Sequence, residues 1–208
     1  MVIRIGLTGG IAAGKSTVSR RLGELGATIV DYDILARKIV EPGGAALPRI
    51  VEVFGDRAVG DDGTLDRAWL ADQVFGAHAD PRARQRLDAI EHPLIYQLAQ
   101  QLDAEASHKD SNAVIVHDIP LLAEVIQDLP FRFDHIVTVE APQDVRIGRM
   151  VRTRGMSQAQ AQARIASQSP QSARMAIADV VVDATVDLPA MLARVDTLYA
   201  AWLGEAKA

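Results

Sequence analysis

A glycine-rich segment near the amino terminus has the residue types and spacing that bind phosphate. Residues 9–16 read Gly-Gly-Ile-Ala-Ala-Gly-Lys-Ser and match the pattern G-x-x-x-x-G-K-[ST]. Gly9 and Gly14 permit backbone angles that a side chain forbids, so successive amides can point inward at an anion. Lys15 can reach the β and γ oxygens, and the Ser16 hydroxyl can ligate Mg²⁺. We therefore predict an ATP or GTP site formed by Gly10, Ile11, Ala12, Ala13, Gly14, Lys15, Ser16 and Thr17.

Acidic residues follow two predicted strands, at the edge where an open α/β sheet binds its ligands. A carboxylate there can accept the proton of an attacking hydroxyl, and Asp33 is the candidate for that role. Asp33 has a structural alternative as a helix N-cap, and Asp31 is given a supporting role. Asp118 has two open interpretations, a Walker-B-like residue that holds Mg²⁺ through water or a cap of the following turn.

A basic segment in the second half of the chain has the charge to close over phosphates. Arg146, Arg149 and Arg152 are spaced by three residues and share a helical face, and Arg154 follows. No Asp or Glu occurs between residues 145 and 178, so the sequence does not neutralise this charge locally. We predict a lid that folds onto the nucleotide, with at least one arginine reaching the transferred group.

The elements that must position these groups alternate between strand and helix. Strands alternating with helices imply a mostly parallel sheet covered on both faces. Residues 43–110 have helical periodicity with Pro and Gly breaks and no convincing strand, so we predict a helical insertion there. The predicted strands are Val2–Leu7, Ala27–Asp31, Ala113–His117, His135–Val139 and Asp179–Asp183. The predicted helices outside the insertion are Lys15–Leu25, Asp33–Val40, Asp144–Thr153, Ser157–Ser167 and Leu188–Leu203.

These elements predict one α/β domain with a P-loop NTPase core and a five-stranded, mostly parallel sheet. The core would comprise residues 1–42, 111–142 and 176–208, the helical insertion 43–110, and the helical lid 143–175. A chain of 208 residues can bury such a core without cross-links.

Composition excludes several classes of protein. The chain has no cysteine, which rules out disulfide frameworks, thiolate metal sites and cysteine nucleophiles. Its net charge of −5 argues against a nucleic-acid partner, because phosphate-tracking proteins need a basic face. No apolar run approaches the ~18 residues of a membrane span, so we expect no membrane partner and a cytoplasmic location. The sequence does not determine the oligomeric state, and a monomer is compatible with it.

The absence of a guanine-binding motif and the short length of the chain limit the classes of P-loop protein to which it can belong. Its single asparagine, Asn112, is followed by alanine, so the N-K-x-D segment that reads guanine is missing. A short chain with a helical insertion and an arginine-rich helix favours a small-molecule kinase that uses ATP. A kinase for another nucleoside or small metabolite, or an ATPase switch that acts on a protein partner, are the alternatives.

An ordered set of short motifs runs through nearly the whole chain. The motifs are Leu7–Ile11, Asp31–Arg37, Val40–Gly43, Asp62–Leu65, Val74–Phe75, His92–Ile95, Pro120–Leu122 with Glu124, and Arg149 with Arg152 and Arg154. In this order they resemble the dephospho-CoA kinase family. P-loop motifs are shared by many families, whereas this ordered set is far more specific.

The resemblance implies transfer of the ATP γ-phosphate to the ribose 3′-hydroxyl of dephospho-CoA, the last step of coenzyme A synthesis, with Mg²⁺ as cofactor. It implies that Asp33 is the base or orients the hydroxyl, and that Lys15 and Arg149 act on the phosphates. The helical insertion 43–110 would bind the acceptor, and the adenine of ATP would lie near the lid and Asp183. The implied acceptor-binding residues are Thr8, Asp33, Arg37, His92, Pro120 and Leu121.

The sequence departs from that family pattern at three places. Ala12 and Ala13 stand where Gly-Ser is frequent, Ala184 where an asparagine often follows the last strand, and Arg146 where glutamine is common. None of these departures removes a group that phosphoryl transfer requires.

Overall fold

The five predicted strands form one sheet. The computed structural model describes residues 1–76 and 78–208. Within them, neighbouring strands are all parallel, in the order β2-β3-β1-β4-β5. The predicted α/β class and parallel sheet are thereby confirmed. The strands are β1 Ile3–Gly9, β2 Thr28–Asp31, β3 Val114–Asp118, β4 His135–Glu140 and β5 Val180–Asp183.

The register of the strands aligns their carboxyl ends at one edge of the sheet. Leu7 pairs with Asp118, and Asp31 pairs with the same aspartate from the other side. Gly9 pairs with Val139, one residue before the end of β4. Groups that follow β1, β3 and β4 therefore meet at the edge where open α/β sheets bind ligands.

Helices follow the strands, as the alternating pattern predicts. The predicted lid segment holds a short third helix, Gln171–Ile177, which the sequence analysis did not identify. The described residues include no helix that is both long and apolar enough to cross a membrane. The helices are α1 Lys15–Glu24, α2 Tyr32–Lys38, α3 Leu47–Phe54, α4 Arg67–Phe75, α5 Ala83–Lys109, α6 Leu122–Val125, α7 Gln143–Arg154, α8 Gln158–Ala166, α9 Gln171–Ile177 and α10 Leu188–Lys207.

The described residues form two packed units, Met1–Asp31 with Leu102–Ala208 and Tyr32–Gln101. In the first unit, Val18 of α1 and Trp202 of α10 join the apolar side chains of β1 and β4 in one core. Burial of each such side chain contributes about 1.5–3 kcal/mol, which holds α1 and the loop before it against the sheet.

The second unit is helical, as predicted for most of residues 43–110. Ile50 of α3 is fully buried, and the guanidinium of Arg86 lies 5.7 Å from the centre of the Phe54 ring. The chain turns at 60–63, where the Gly63 amide donates to the Gly60 carbonyl at 2.9 Å. The division into core, insertion and lid stays a prediction, since these segments are defined by ligands.

Candidate active site

The predicted phosphate-binding loop connects the end of β1 to the start of α1. Gly14 has φ = +120° at the helix N-cap position, and within the described chain no side chain caps α1 there. The first turn of α1 also lacks an acidic residue. The Thr17 amide donates to the Gly14 carbonyl at 2.9 Å, so the amides before it, at Lys15 and Ser16, and the positive end of the helix dipole are the donors that face an anion. The Ile11 amide donates to Oε1 of Gln168 at 2.8 Å, a contact that the sequence did not predict.

Close packing explains the first glycine of the loop, and backbone strain marks its middle. A Cβ on Gly9 would lie 2.6 Å from the Val139 carbonyl oxygen, because β1 and β4 pair there. Ala12 has φ = +59°, which makes it a left-handed residue with a side chain. The alanine at this position therefore adopts a conformation that glycine adopts at lower cost.

Lys15 forms an ion pair with Asp118, which places Asp118 in the site. Asp118 ends β3 and is 3% exposed. Burial raises the pKa of Asp118, while the charge of Lys15 and hydrogen bonds from Lys15 and Ser19 oppose the rise. The nearby charge of Asp31 raises this pKa further. The contact with Lys15 favours the functional interpretation of Asp118 that the sequence left open.

Arg149 ties the phosphate-binding loop to the turn after β5. Its Nη1 donates to the carbonyls of Ala12 and Ala13 at 3.2 and 2.7 Å, and its Nη2 donates to the carbonyl of Ala184 at 2.6 Å. The predicted role of Arg149 on the phosphates stays a prediction, and its observed contacts brace the loop backbone. Arg152, on the same helix, is exposed.

The other arginine of α7 that reaches the loop is Arg146, which is 5% exposed and lies beside Gly10. It meets Arg174 of α9 there. Arg174 is neutralised by Glu140 at the end of β4, with Nε–Oε1 at 2.7 Å. Glu140, which is far from this segment in the sequence, therefore neutralises part of the positive charge of residues 145–178. The sequence analysis did not single out Arg174, Glu140 or Gln168. Of the three, Glu140 alone has a sequence signal, because an acidic residue at a strand end is a candidate for the ligand edge of the sheet.

The predicted acceptor-binding residues of the first unit lie together. Thr8 of β1 is fully buried, and its Oγ1 donates to the Pro120 carbonyl at 3.3 Å. Pro120 and Leu121 form the half-buried turn between β3 and α6. The Thr8 hydroxyl near the end of β1 and the turn after β3 are thereby held at the ligand edge of the sheet.

The second unit carries Asp33 and Arg37 on one face of α2. They are four residues apart and both exposed, whereas Tyr32 and Leu35 are buried. Asp33 is the second residue of the helix, so the N-cap position falls to Asp31. This placement favours the functional interpretation of Asp33 over the capping one.

His92 lies in α5 beside two groups of the same helix. Its Nε2 is 3.9 Å from Oδ1 of Asp88, and its ring centre is 5.6 Å from that of Tyr96. Burial and the charge of Asp88 raise the pKa of the adjacent Glu91 to about 7, against an opposing effect of Arg67. Glu91 is a titratable group that sequence analysis did not single out.

The residues around the loop fit a magnesium ion held mainly by phosphates. Mg²⁺ prefers oxygen ligands and is bound in such sites by one or two side chains together with phosphates and waters. The Ser16 hydroxyl in the first turn of α1 and the Asp118 carboxylate supply oxygen donors of this kind. The described residues contain no cluster of three or more His, Cys, Asp or Glu side chains, which a phosphate-held ion does not require.

Comparison with known proteins assigns the family. The family model described as dephospho-CoA kinase matches residues 3–189. The chain belongs to the dephospho-CoA kinase family. A dephospho-CoA kinase of Bifidobacterium longum is 63% identical over 201 residues, covering 97% of both chains. One from Cutibacterium acnes is 46% identical and covers 93% of this chain and 83% of its own.

Solved structures agree with the fold. The crystal structure of TT1252 from Thermus thermophilus is 30% identical with a TM-score of 0.76, covering 96% of each chain. A dephospho-CoA kinase from Campylobacter jejuni is 21% identical, with a TM-score of 0.63 and 97% coverage of each chain. The predicted membership of the dephospho-CoA kinase family is therefore confirmed. The predicted P-loop kinase fold is confirmed as well.

Proposed function

We propose that this chain transfers the γ-phosphoryl group of ATP to the ribose 3′-hydroxyl of dephospho-CoA, which completes coenzyme A. The observation that carries the proposal is the uncapped, glycine-bearing loop before α1 in a chain of the dephospho-CoA kinase family. In the reaction the ribose 3′-oxygen bonds to the γ-phosphorus, the bond from that phosphorus to the β–γ bridging oxygen breaks, and ADP leaves.

The amides of the loop and the start of α1 bind the phosphate chain. Lys15 exchanges its pairing with Asp118 for contacts to the β and γ oxygens, and Thr17 contacts the α-phosphate. Arg149 holds the Ala12 and Ala13 carbonyls in place, which keeps the neighbouring amides directed at the anion. Preorganised donors of this kind stabilise charge without reorganising during the reaction.

Ser16 and Asp118 would hold Mg²⁺, Ser16 directly and Asp118 through water. When bound, the metal neutralises charge on the β and γ oxygens. The family and the chemistry of these groups support Mg²⁺ as the cofactor and ATP and dephospho-CoA as the substrates. The family also supports the proposal of a cytoplasmic location. We propose no nucleic-acid or membrane partner for this acidic chain.

Asp33 accepts a hydrogen bond from the acceptor hydroxyl and takes its proton. Its exposed place in the first turn of α2, the helix that directly follows β2 in the sequence, supports this role. Phosphoryl transfer depends mainly on alignment and charge neutralisation, so a carboxylate that aims the hydroxyl contributes through position. Thr8, Arg37, His92, Pro120 and Leu121 form the acceptor-binding set of the proposal.

An acceptor panel tests the function. The purified protein is incubated with ATP, Mg²⁺ and one acceptor at a time: dephospho-CoA, adenosine, shikimate or gluconate. Coenzyme A and ADP should form in equal amounts from dephospho-CoA alone. Phosphorylation of another acceptor with dephospho-CoA untouched would indicate a different metabolite kinase, and ATP turnover that requires a protein partner would indicate a switch.

A further inference from the structure

Two buried guanidiniums converge on the amino-terminal half of the phosphate-binding loop. Arg146 and Arg174 are 5% and 3% exposed. A Cβ built on Gly10 would collide with Nη1 of Arg146 and would lie 3.0 Å from Nη2 of Arg174. Both side chains therefore press against the backbone of one loop residue, from helices α7 and α9.

Arg174 has its hydrogen-bonding partners within the protein. Its Nε and Nη2 donate to the two oxygens of Glu140 at 2.7 and 2.9 Å, and its Nη1 donates to the Ser169 carbonyl at 2.7 Å. Thr138 also donates to Oε1 of Glu140 at 2.7 Å. The single carboxylate of this cluster is thus committed to Arg174 and Thr138.

Arg146 is in a different situation. Its Nε is buried and has no hydrogen-bond partner among the described residues. Within the same part of the chain, Arg146 forms no ion pair. Burial and the like charge of Arg174 lower the pKa of Arg146, and Glu140 only partly opposes them. Two guanidiniums and one carboxylate leave the cluster with a charge of +1. An uncompensated buried charge costs several kcal/mol, so the folded chain alone gives no reason for it.

The location of this charge indicates the ligand that compensates it. Gly10 follows the last residue of β1 and precedes the amides that bind phosphate. The next residue, Ile11, is contacted by Gln168 from the same segment as Arg174, so this segment already covers the loop. An oligophosphate brings several negative charges and many acceptor oxygens, and a guanidinium presents a rigid fork of donors to them.

We propose that Arg146 binds an oxygen of the ATP phosphate chain where the chain passes Gly10, and that Arg174, fixed by Glu140, positions Arg146. The inference rests on the proposed function, because it requires that the loop binds a nucleoside triphosphate. It adds Arg146 to the phosphate-binding residues. The buried charge of Arg146 then stabilises the complex with ATP and not the ligand-free fold.

Two substitutions at Arg146 and a matched control test the proposal. Arg146→Gln removes the charge, Arg146→Lys keeps it, and Arg194→Gln removes the same charge from an exposed position on α10. The dissociation constant of the non-hydrolysable ATP analogue AMP-PNP with Mg²⁺ is measured by calorimetry. The melting temperature is measured with and without the analogue.

Arg146→Gln should weaken binding of the analogue roughly 10–100-fold, the scale of a charged hydrogen bond of about 1.5–3 kcal/mol. Its ligand-free melting temperature should equal or exceed that of the wild type, because a buried unpaired charge has been removed. Arg146→Lys should recover part of the affinity, and Arg194→Gln should match the wild type. Gly10→Ala should weaken binding in the wild type but add little in the Arg146→Gln background.

Analogue affinity unchanged in Arg146→Gln would overturn the proposal while leaving the function intact. Failure of that variant to fold, or a ligand-free melting temperature well below the wild type, would also contradict it, because Arg146 would then serve the fold. A wild-type protein that does not bind the analogue at all would remove the proposed function itself, and with it this inference.

Discussion

The ammonium of Lys15 is paired with the carboxylate of Asp118, which joins the phosphate-binding loop to the end of β3. The two residues are far apart in the chain and meet because β1 and β3 are neighbours in the sheet. Asp118 therefore holds the lysine at the loop.

Asp118→Asn should raise the Mg²⁺ concentration needed for half-maximal activity roughly 10–100-fold, the usual cost of losing an outer-sphere ligand partner. The neutral amide no longer attracts the hydrated cation, although it fills the same space. Initial rates over a Mg²⁺ titration measure the effect, with the exposed Asp128→Asn as control. An unchanged Mg²⁺ dependence would show that Asp118 only positions Lys15.

Asp33→Asn should leave ATP affinity nearly unchanged and lower the rate of transfer to dephospho-CoA by at least ~10²-fold, the scale of a positioned acid/base group. The amide cannot take the proton of the acceptor hydroxyl. Calorimetry with ATP and initial rates of coenzyme A formation separate the two effects. Asp61→Asn, in the exposed turn of the same unit, is the control. Near-normal turnover of Asp33→Asn would assign the orientation of the hydroxyl to another group.

Ala12→Gly should stabilise the ligand-free protein by about 1 kcal/mol, because a left-handed residue with a Cβ is strained by that order. Chemical denaturation gives the change in the free energy of unfolding. Ala13→Gly is the matched control, since Ala13 is fully buried and does not have a positive φ, and it should destabilise. Equal destabilisation by both substitutions would mean that residue 12 carries no backbone strain.

The buried residues Asp103 and His117 form a network with the partly exposed Arg4, and this network predicts a loss of stability in acid. Burial raises the pKa of Asp103, but hydrogen bonds and charge from His117 and Arg4 outweigh it and lower the pKa to about 2. This depressed pKa contributes stability that is present above the unfolded value near 4 and is lost as the pH falls towards 2.

Asp103→Asn should therefore destabilise the protein by about 2 kcal/mol at neutral pH and by progressively less between about pH 4 and pH 2. Unfolding curves of both proteins over that pH range give the difference. Asp134→Asn, at an exposed carboxylate that accepts from the Arg4 amide at 2.7 Å, controls for general acid effects. A difference that stays constant with pH would show that Asp103 does not titrate in this range.

The sequence predicted what depends on local patterns. The strand, loop and helix around Lys15 follow from the motif and from apolar periodicity. The predicted helix start at Ser157 is close to that of α8, where the Ser157 and Gln160 side chains form a capping box. The parallel sheet follows from the alternation of elements, and the family from the ordered motifs. Each of these signals lies within a few residues or depends on order alone.

What the sequence did not predict depends on which distant residues meet. The prediction that Arg146 and Arg152 share a helical face is wrong. Arg146 lies with Met150 on the buried side of α7, whereas Arg152 is exposed, because six residues turn the helix well away from its starting face. The pairing of Arg174 with Glu140 requires the placement of α9 beside β4. Helix α9 was missed because seven residues after a proline give little periodicity.

A crystal structure with AMP-PNP, Mg²⁺ and dephospho-CoA bound together tests the central claim most directly. The account predicts the phosphates within the amides of residues 10–17 and the ribose 3′-hydroxyl about 2.6–3.2 Å from the Asp33 carboxylate, in line with the γ-phosphorus. A triphosphate bound elsewhere, or a 3′-hydroxyl distant from Asp33 in the closed complex, would contradict it.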